Sequence, residues 1–341
     1  MRFKLLGRSG IRVSEIALGT MTFGEVWGFG EAKGECRRVF DAYAEAGGNF
    51  LDTANKYMAG TSERMVGEFV ASERPRFVIA TKYTLSMRDG DPNASGNHKK
   101  NLIQSVDDSL RRLGTDYLDL LWLHAWDFTT PADEVMRALD DLVRSGKALH
   151  VGVSDTPAWV VAQCNTLAEL RGWSRFVGLQ IEYSLIERTA ERELLPMARS
   201  LGLALTPWAA LGGGVLTGKY TRGGEPSDTR RAELNERRLG ERNRRIAQEV
   251  DAVADALGRT SAQVAINWVR QQPGLVVPIV GARTANQLKQ SLGCLDFELG
   301  PDELRRLDEV SAIELGFPHD FLARDRIRHI VYGDQEPLIE R

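Results

Sequence analysis

The 341-residue sequence predicts an α/β fold, a (β/α)8 TIM barrel, on three observations. Short β-type runs recur eight times, helical patterns separate them, and no shift of composition divides the chain. Strands alternating with helices form parallel sheets covered on both faces, and eight such units close on themselves. Barrels of this kind reach this length as one domain, so residues 1–341 are expected to form a single domain.

Taken in order, the start FKLLGRSGIRV reads as a β-hairpin turning near Ser9 and Gly10, placed to close the bottom of the barrel. The eight runs are 14–20, 48–53, 76–81, 117–124, 148–154, 176–183, 203–208 and 275–280. Between runs three and four, Leu102, Val106, Leu110 and Leu113 fall on one helical face and Gly114 supplies a stop. The segment 131–147 is a second clear helix, with Pro131 early and Gly146 late. After strand seven comes a long loop, 221–243, rich in charge, glycine and arginine. It exceeds an ordinary connection, and long loops at a barrel mouth often act as lids over bound ligands.

Composition narrows the function. A hydrophobic share of 43% with 27% charged residues is that of a globular protein, and a net charge of -3 gives no reason to expect nucleic acid or an anionic membrane as partner. The first apolar run is too short for a signal peptide or a spanning helix, which points to a cytoplasmic protein. Cys36, Cys164 and Cys294 are odd in number and widely spaced, which suits buried thiols better than a disulfide framework or a metal site.

Active sites of such barrels lie at the carboxyl ends of the strands. Strand two ends in Asp52 with Tyr57 just beyond, strand three carries Lys82, and strand four ends in His124. An acid, a phenol, an ammonium and an imidazole would thus meet at one mouth. A buried ammonium beside a phenol stabilises the phenolate and is expected to lower its pKa, while a carboxylate keeps the ammonium charged. A neutral His124 would orient a substrate oxygen. Such a set protonates an oxygen on which negative charge is building, as happens when a carbonyl accepts a hydride.

The segment LDTANKYMAGTSERMVG at 51–67, with TKY, WLHAWD, VGVSD, LQIEYSL, GGGVLTGKY and VGARTANQL following in order, resembles the aldo-keto reductase family along almost the whole chain. LGFPHDFL near the end is similar to bacterial members, in the branch that includes potassium-channel beta subunits. The resemblance implies a carbonyl reductase with Tyr57 as general acid, Asp52 and Lys82 tuning it, and His124 assisting. It implies NADPH as cofactor, with Ser154, Asp155 and Gln180 bonding the carboxamide and Tyr183 stacking on the nicotinamide. Gly212, Gly214, Leu216, Gly218 and Lys219 would flank the pyrophosphate, and Gly281, Arg283 and Gln287 the adenosine phosphate. Asp155 departs from the family's usual Asn; a carboxylate accepts hydrogen bonds but does not donate them.

A small-molecule aldehyde or ketone is the expected substrate, with Trp27, His98 and Trp126 as candidate contacts, and no metal is expected. The sequence leaves the oligomeric state open. Two other functions compete. One is a redox-sensing, partner-binding subunit of the potassium-channel beta kind, which shares the tetrad; the other is an aldolase-type lyase with a Schiff-base lysine, which the pairing of Lys82 with an acid and a phenol disfavours.

Overall fold

Residues 1–223 and 238–339 are described by the computed structural model of the chain. An antiparallel hairpin comes first, β1 (Phe3–Leu5) and β2 (Arg12–Ser14), with Phe3 opposite Ser14. The parallel strands are β3 (Ala17–Gly19), β4 (Phe50–Asp52), β5 (Val78–Tyr83), β6 (Leu118–Leu123), β7 (Ala148–Ser154), β8 (Phe176–Glu182), β9 (Ala204–Trp208) and β10 (Ile279–Gly281). Each pairs with the next in sequence, and β10 pairs with β3. Between β9 and β10 the ring is joined at a parallel bridge of Leu205 with Val276, where Leu205 N donates to Leu275 O at 2.7 Å. The chain is thus the expected (β/α)8 barrel with an N-terminal hairpin.

Several strands are shorter than their apolar runs, and for two of them the cause is plain. Pro278 has no amide hydrogen for a ladder, so regular pairing within 275–280 begins only at Ile279, opposite Ala17. The run 14–20 is divided between β2 and β3 by a bend at Glu15 and Ile16. Of the long segment 221–243, positions 224–237 lie outside the described residues, and the lid expected there with them.

The outer layer is helical: α1 (Lys33–Glu45), α2 (Thr61–Val70), α3 (Lys99–Leu113), α4 (Ala132–Arg144), α5 (Ala158–Arg171), α6 (Leu194–Leu201), α7 (Glu241–Leu257), α8 (Ser261–Arg270), α9 (Ala285–Leu292) and α10 (Pro301–Ser311). In α3 the predicted face holds: Leu102, Val106 and Leu113 are buried, Leu110 is half-buried, and Gly114 ends the helix at φ +63°. The short α11 (His319–Leu322) and α12 (Asp325–Tyr332) follow on the surface. Among the described residues no helix is long and apolar enough to cross a membrane.

Strand alternation divides the apolar residues into two cores. The larger lies between strands and helices; the smaller fills the barrel with Phe50, Ala80, Leu120, Trp122 and Ala204. Leu6 and Val13 of the hairpin belong to the inner cluster, so the hairpin closes the floor. The indole of Trp122, fully buried, takes the space that neighbouring strands leave by carrying glycine. A Cβ at Gly152 would lie 2.2 Å from the Trp122 ring, and one at Gly178 would lie 2.9 Å away. Gly152→Ala should therefore destabilise by about 1 to 3 kcal/mol, the usual cost of overpacking. Urea denaturation reads this as a lowered midpoint; an unchanged midpoint would show that the ring moves aside freely.

Candidate active site

Four neighbouring strands, β4 to β7, and the loop after β4 bring the polar residues to one mouth. Asp52 ends β4, Lys82 is the penultimate residue of β5, and His124 directly follows β6. Tyr57 opens a tight turn in which Met58 and Ala59 adopt left-handed backbone, at φ +48° and +53°. Met58 is fully buried against the loop that carries Gly24 and Gly30, which fixes the turn and aims Tyr57 inward. Non-glycine residues with positive φ number six among the described residues: these two, Thr84, Phe128, Asp155 and Ala209. All follow the carboxyl ends of barrel strands. Backbone strain of this kind gathers where a surrounding fold holds functional groups in place.

The hydrogen-bond chain is continuous. Lys82 Nζ donates to Asp52 Oδ2 at 2.6 Å, to Thr53 O at 2.9 Å and to Tyr57 Oη at 3.2 Å. Gln180 Nε2 donates to the other Asp52 oxygen at 2.9 Å, so both carboxylate oxygens are held. Gln180, expected to bond a cofactor amide, thus spends its NH2 group on Asp52. The His124 ring stands edge-on to Tyr57, 6.0 Å between centroids, and its Nδ1 is buried without a hydrogen-bond partner among the described residues.

Protonation states follow from these surroundings. Burial opposes a charge on Lys82, but Asp52 and Tyr57 outweigh it, and the ammonium's pKa is raised. Burial, with a smaller contribution from Lys82, pushes the imidazole of His124 down to about 3, so it is neutral. Tyr57 departs from expectation: its phenol is shifted upward. Burial raises it, Lys82 acts the other way, and Asp52 raises it again. Because Asp52 already compensates the ammonium, Lys82 presents the phenol with most of its field cancelled. Tyr57 therefore keeps its proton at pH 7.

The remaining predicted residues are distributed unevenly. Ser154 ends β7 beside Gln180 and Asp155 directly follows it, its N–H donating to Gln180 O at 3.4 Å. Tyr183 does not face the mouth. It shares parity with Ile181 rather than with Gln180, is 1% exposed, packs on Trp268 of α8, and its hydroxyl donates to Glu191 Oε1 at 2.6 Å. The flat residue that does reach the recess is Trp208, at the end of β9 in register with Glu182. Its Nε1 donates to Asp155 Oδ1 at 3.3 Å. Sequence reasoning missed it, although Trp208 shares parity with Thr206 and Ala204 in an obvious strand.

After β9, Gly212, Gly213 and Gly214 all have positive φ. Side chains would not fit: a Cβ at Gly212 would lie 2.4 Å from Ile186, and one at Gly214 would lie 3.1 Å from Lys219 Nζ. Bare backbone beside an ammonium is a cradle suited to phosphate. Gly218 continues it at φ +85°, while the Leu216 side chain is fully buried and could offer only backbone. Gly281 ends β10 and Arg283 sits just before α9, its side chain partly exposed and 3.8 Å from Glu31. Gln287 accepts from Arg283 N at 3.0 Å, so it positions that arginine. These features fit a nicotinamide dinucleotide.

Of the candidate substrate contacts, Trp27 lies edge-on to Tyr57 at 6.4 Å, and Trp126 is half-buried and donates its backbone N–H to Asp155 O at 3.3 Å. Val26 and Phe128, 63% and 71% exposed, extend this apolar rim. His98 is instead the cap of α3: its Nδ1 accepts from Asn101 N at 3.3 Å, and its Nε2 is buried. Among the described residues no group of His, Cys, Asp and Glu could hold a metal ion.

A model of the aldo/keto reductase family matches residues 15–312. The chain is 39% identical over 335 residues to a norsolorinic acid reductase of Aspergillus flavus, covering 93% of this chain and 83% of that one. It is 41% identical over 324 residues to the norsolorinic acid reductase stcV of Emericella nidulans, covering 92% and 82%. An aryl-alcohol dehydrogenase of Pestalotiopsis microspora is 36% identical over 333 residues, covering 94% and 85%. With the barrel, the mouth and this match over most of its length, the chain belongs to the aldo/keto reductase family.

Proposed function

We propose that the chain is an NADPH-dependent carbonyl reductase in which Tyr57 is the general acid. The observation that carries the reading is the buried chain Asp52–Lys82–Tyr57, with links of 2.6 and 3.2 Å, opening beside a neutral imidazole. A bound nicotinamide would supply the hydride. The residues do the rest: Tyr57 Oη gives its proton to the substrate oxygen, and Lys82 then lies next to the phenolate left behind. His124, uncharged, orients that oxygen without competing as an acid. Gln180 and Thr53 O hold Asp52 and Lys82 still, so little reorganisation accompanies the charge movement.

The apolar rim of Trp27, Trp126 and Phe128 favours an aldehyde or ketone with a flat, apolar body, a reading supported by the aryl-alcohol dehydrogenase among the relatives. One barrel domain in a cytoplasmic, reducing setting agrees with three buried, unpaired thiols. A screen of aromatic aldehydes and ketones with NADPH, followed as loss of nicotinamide absorbance, tests the function. No turnover of any carbonyl by a protein that binds NADPH would refute it.

Preference for the phosphorylated cofactor rests on Arg283, whose guanidinium can bind a 2′-phosphate in a bidentate fashion. Arg283→Ala should weaken NADPH binding by about 1.5 to 3 kcal/mol, the range for hydrogen bonds to charged groups, and leave NADH binding nearly unchanged. Equal losses for both cofactors, measured as dissociation constants, would mean that Arg283 does not read the phosphate.

A further inference from the structure

The acids around the recess are not equivalent. Asp52 is paired with Lys82, and Glu182 is paired with Arg238 at 2.5 Å. Asp155 has no ion-pair partner among the described residues; its side-chain contacts are neutral, the indole N–H of Trp208 and the hydroxyl of Ser154. The backbone at Asp155, φ +38°, turns this carboxylate out of the β7 ladder and into the open mouth, where it is solvent-exposed. Its charge reaches the reacting groups: Asp155 raises the phenol of Tyr57, while its own carboxyl is raised by desolvation, which Trp208 and Lys82 only partly offset.

A hydride must arrive at a carbonyl carbon whose oxygen is bonded to Tyr57, so the nicotinamide ring has to share this recess with Asp155. That ring is neutral when reduced and carries a positive charge once the hydride has left. We propose that Asp155, a carboxylate of the mouth with no ion-pair partner among the described residues, makes the site hold the oxidised cofactor more tightly than an amide at this position would, leaving the reduced form nearly unaffected. A carboxamide side chain would make a similar hydrogen bond and give no such bias. The position then sets which cofactor form dominates on the enzyme, and so how readily the spent cofactor leaves after each turnover. The inference rests on the nicotinamide reading of the site.

The experiment is calorimetric titration of wild type and Asp155→Asn with NADP+ and with NADPH, at pH 8 so that the carboxylate is ionised. Asn tolerates left-handed backbone, and the variant's NADPH affinity reports that its site is folded. The expected result is an NADP+ dissociation constant about tenfold larger in the variant, as for a charge pair partly screened by solvent, with the NADPH constant within about twofold. An unchanged ratio of the two constants, or an equal loss for both, would overturn the proposal while leaving the nicotinamide site standing. A wild type that bound neither form would remove the functional reading and this inference together.

Discussion

Tyr57→Phe should lower kcat by about 10² to 10⁴, the range for loss of a positioned general acid, while cofactor affinity stays nearly constant. The variant keeps the ring that packs edge-on to Trp27 and His124 and loses only the oxygen 3.2 Å from Lys82 Nζ. Loss of kcat without loss of cofactor binding is the mark of a group that acts in the transition state. Burial keeps the wild-type phenol protonated well above neutral pH, so the reductive rate should hold across neutral pH and fall only on the alkaline side, where the donor is lost. A Phe variant retaining most of its activity would make Tyr57 a packing residue and nothing more.

Lys82→Met should cost at least as much activity and, in addition, stability. Asp52 and Lys82 are both almost wholly buried, at 3% and 0% side-chain exposure. Removing the cation leaves a carboxylate in the barrel interior with only the Gln180 amide as its side-chain partner, and breaking a buried pair in this way typically costs about 3 to 5 kcal/mol. The urea midpoint should fall sharply. Adding Asp52→Asn to Lys82→Met should recover part of that stability, because the unpaired charge is gone, and none of the activity, because the ammonium is still missing. If the double variant were no more stable than the single one, the cost would come from lost packing of the lysine stem, not from the stranded charge.

Much of this site was legible in the chain. Asp52, Lys82 and His124 stand at or just beyond the ends of apolar runs, where a parallel barrel exposes its inner face, and Tyr57 lies one short loop away. Failures arose where geometry, not residue type, decides. Adjacent strand residues point to opposite faces, so Tyr183 went to the helix layer while Trp208, in the next strand, reached the recess. Whether the ammonium or the desolvation governs the phenol depends on how completely Asp52 cancels Lys82, a matter of ångströms that no spacing rule contains. The shortening of β10 was written in Pro278. That the three glycines at 212–214 all take left-handed backbone and lie beside the Lys219 ammonium depends on how the turn folds back, which the residue types alone do not show.

The positive-φ residues around the mouth have a consequence for anyone engineering this protein. Each non-glycine residue held there costs on the order of 1 to 3 kcal/mol, a load that the packing of the rest of the barrel must offset. A selection for heat resistance alone would therefore find its easiest gains by relaxing Ala59 or Ala209 toward glycine, where only a methyl group is lost. Those gains would come from loosening the rim that aims Tyr57 and shapes the recess. Libraries built on this scaffold should hold the six positions fixed and seek robustness in the outer helices, where added stability leaves the aim of the polar groups at the mouth undisturbed.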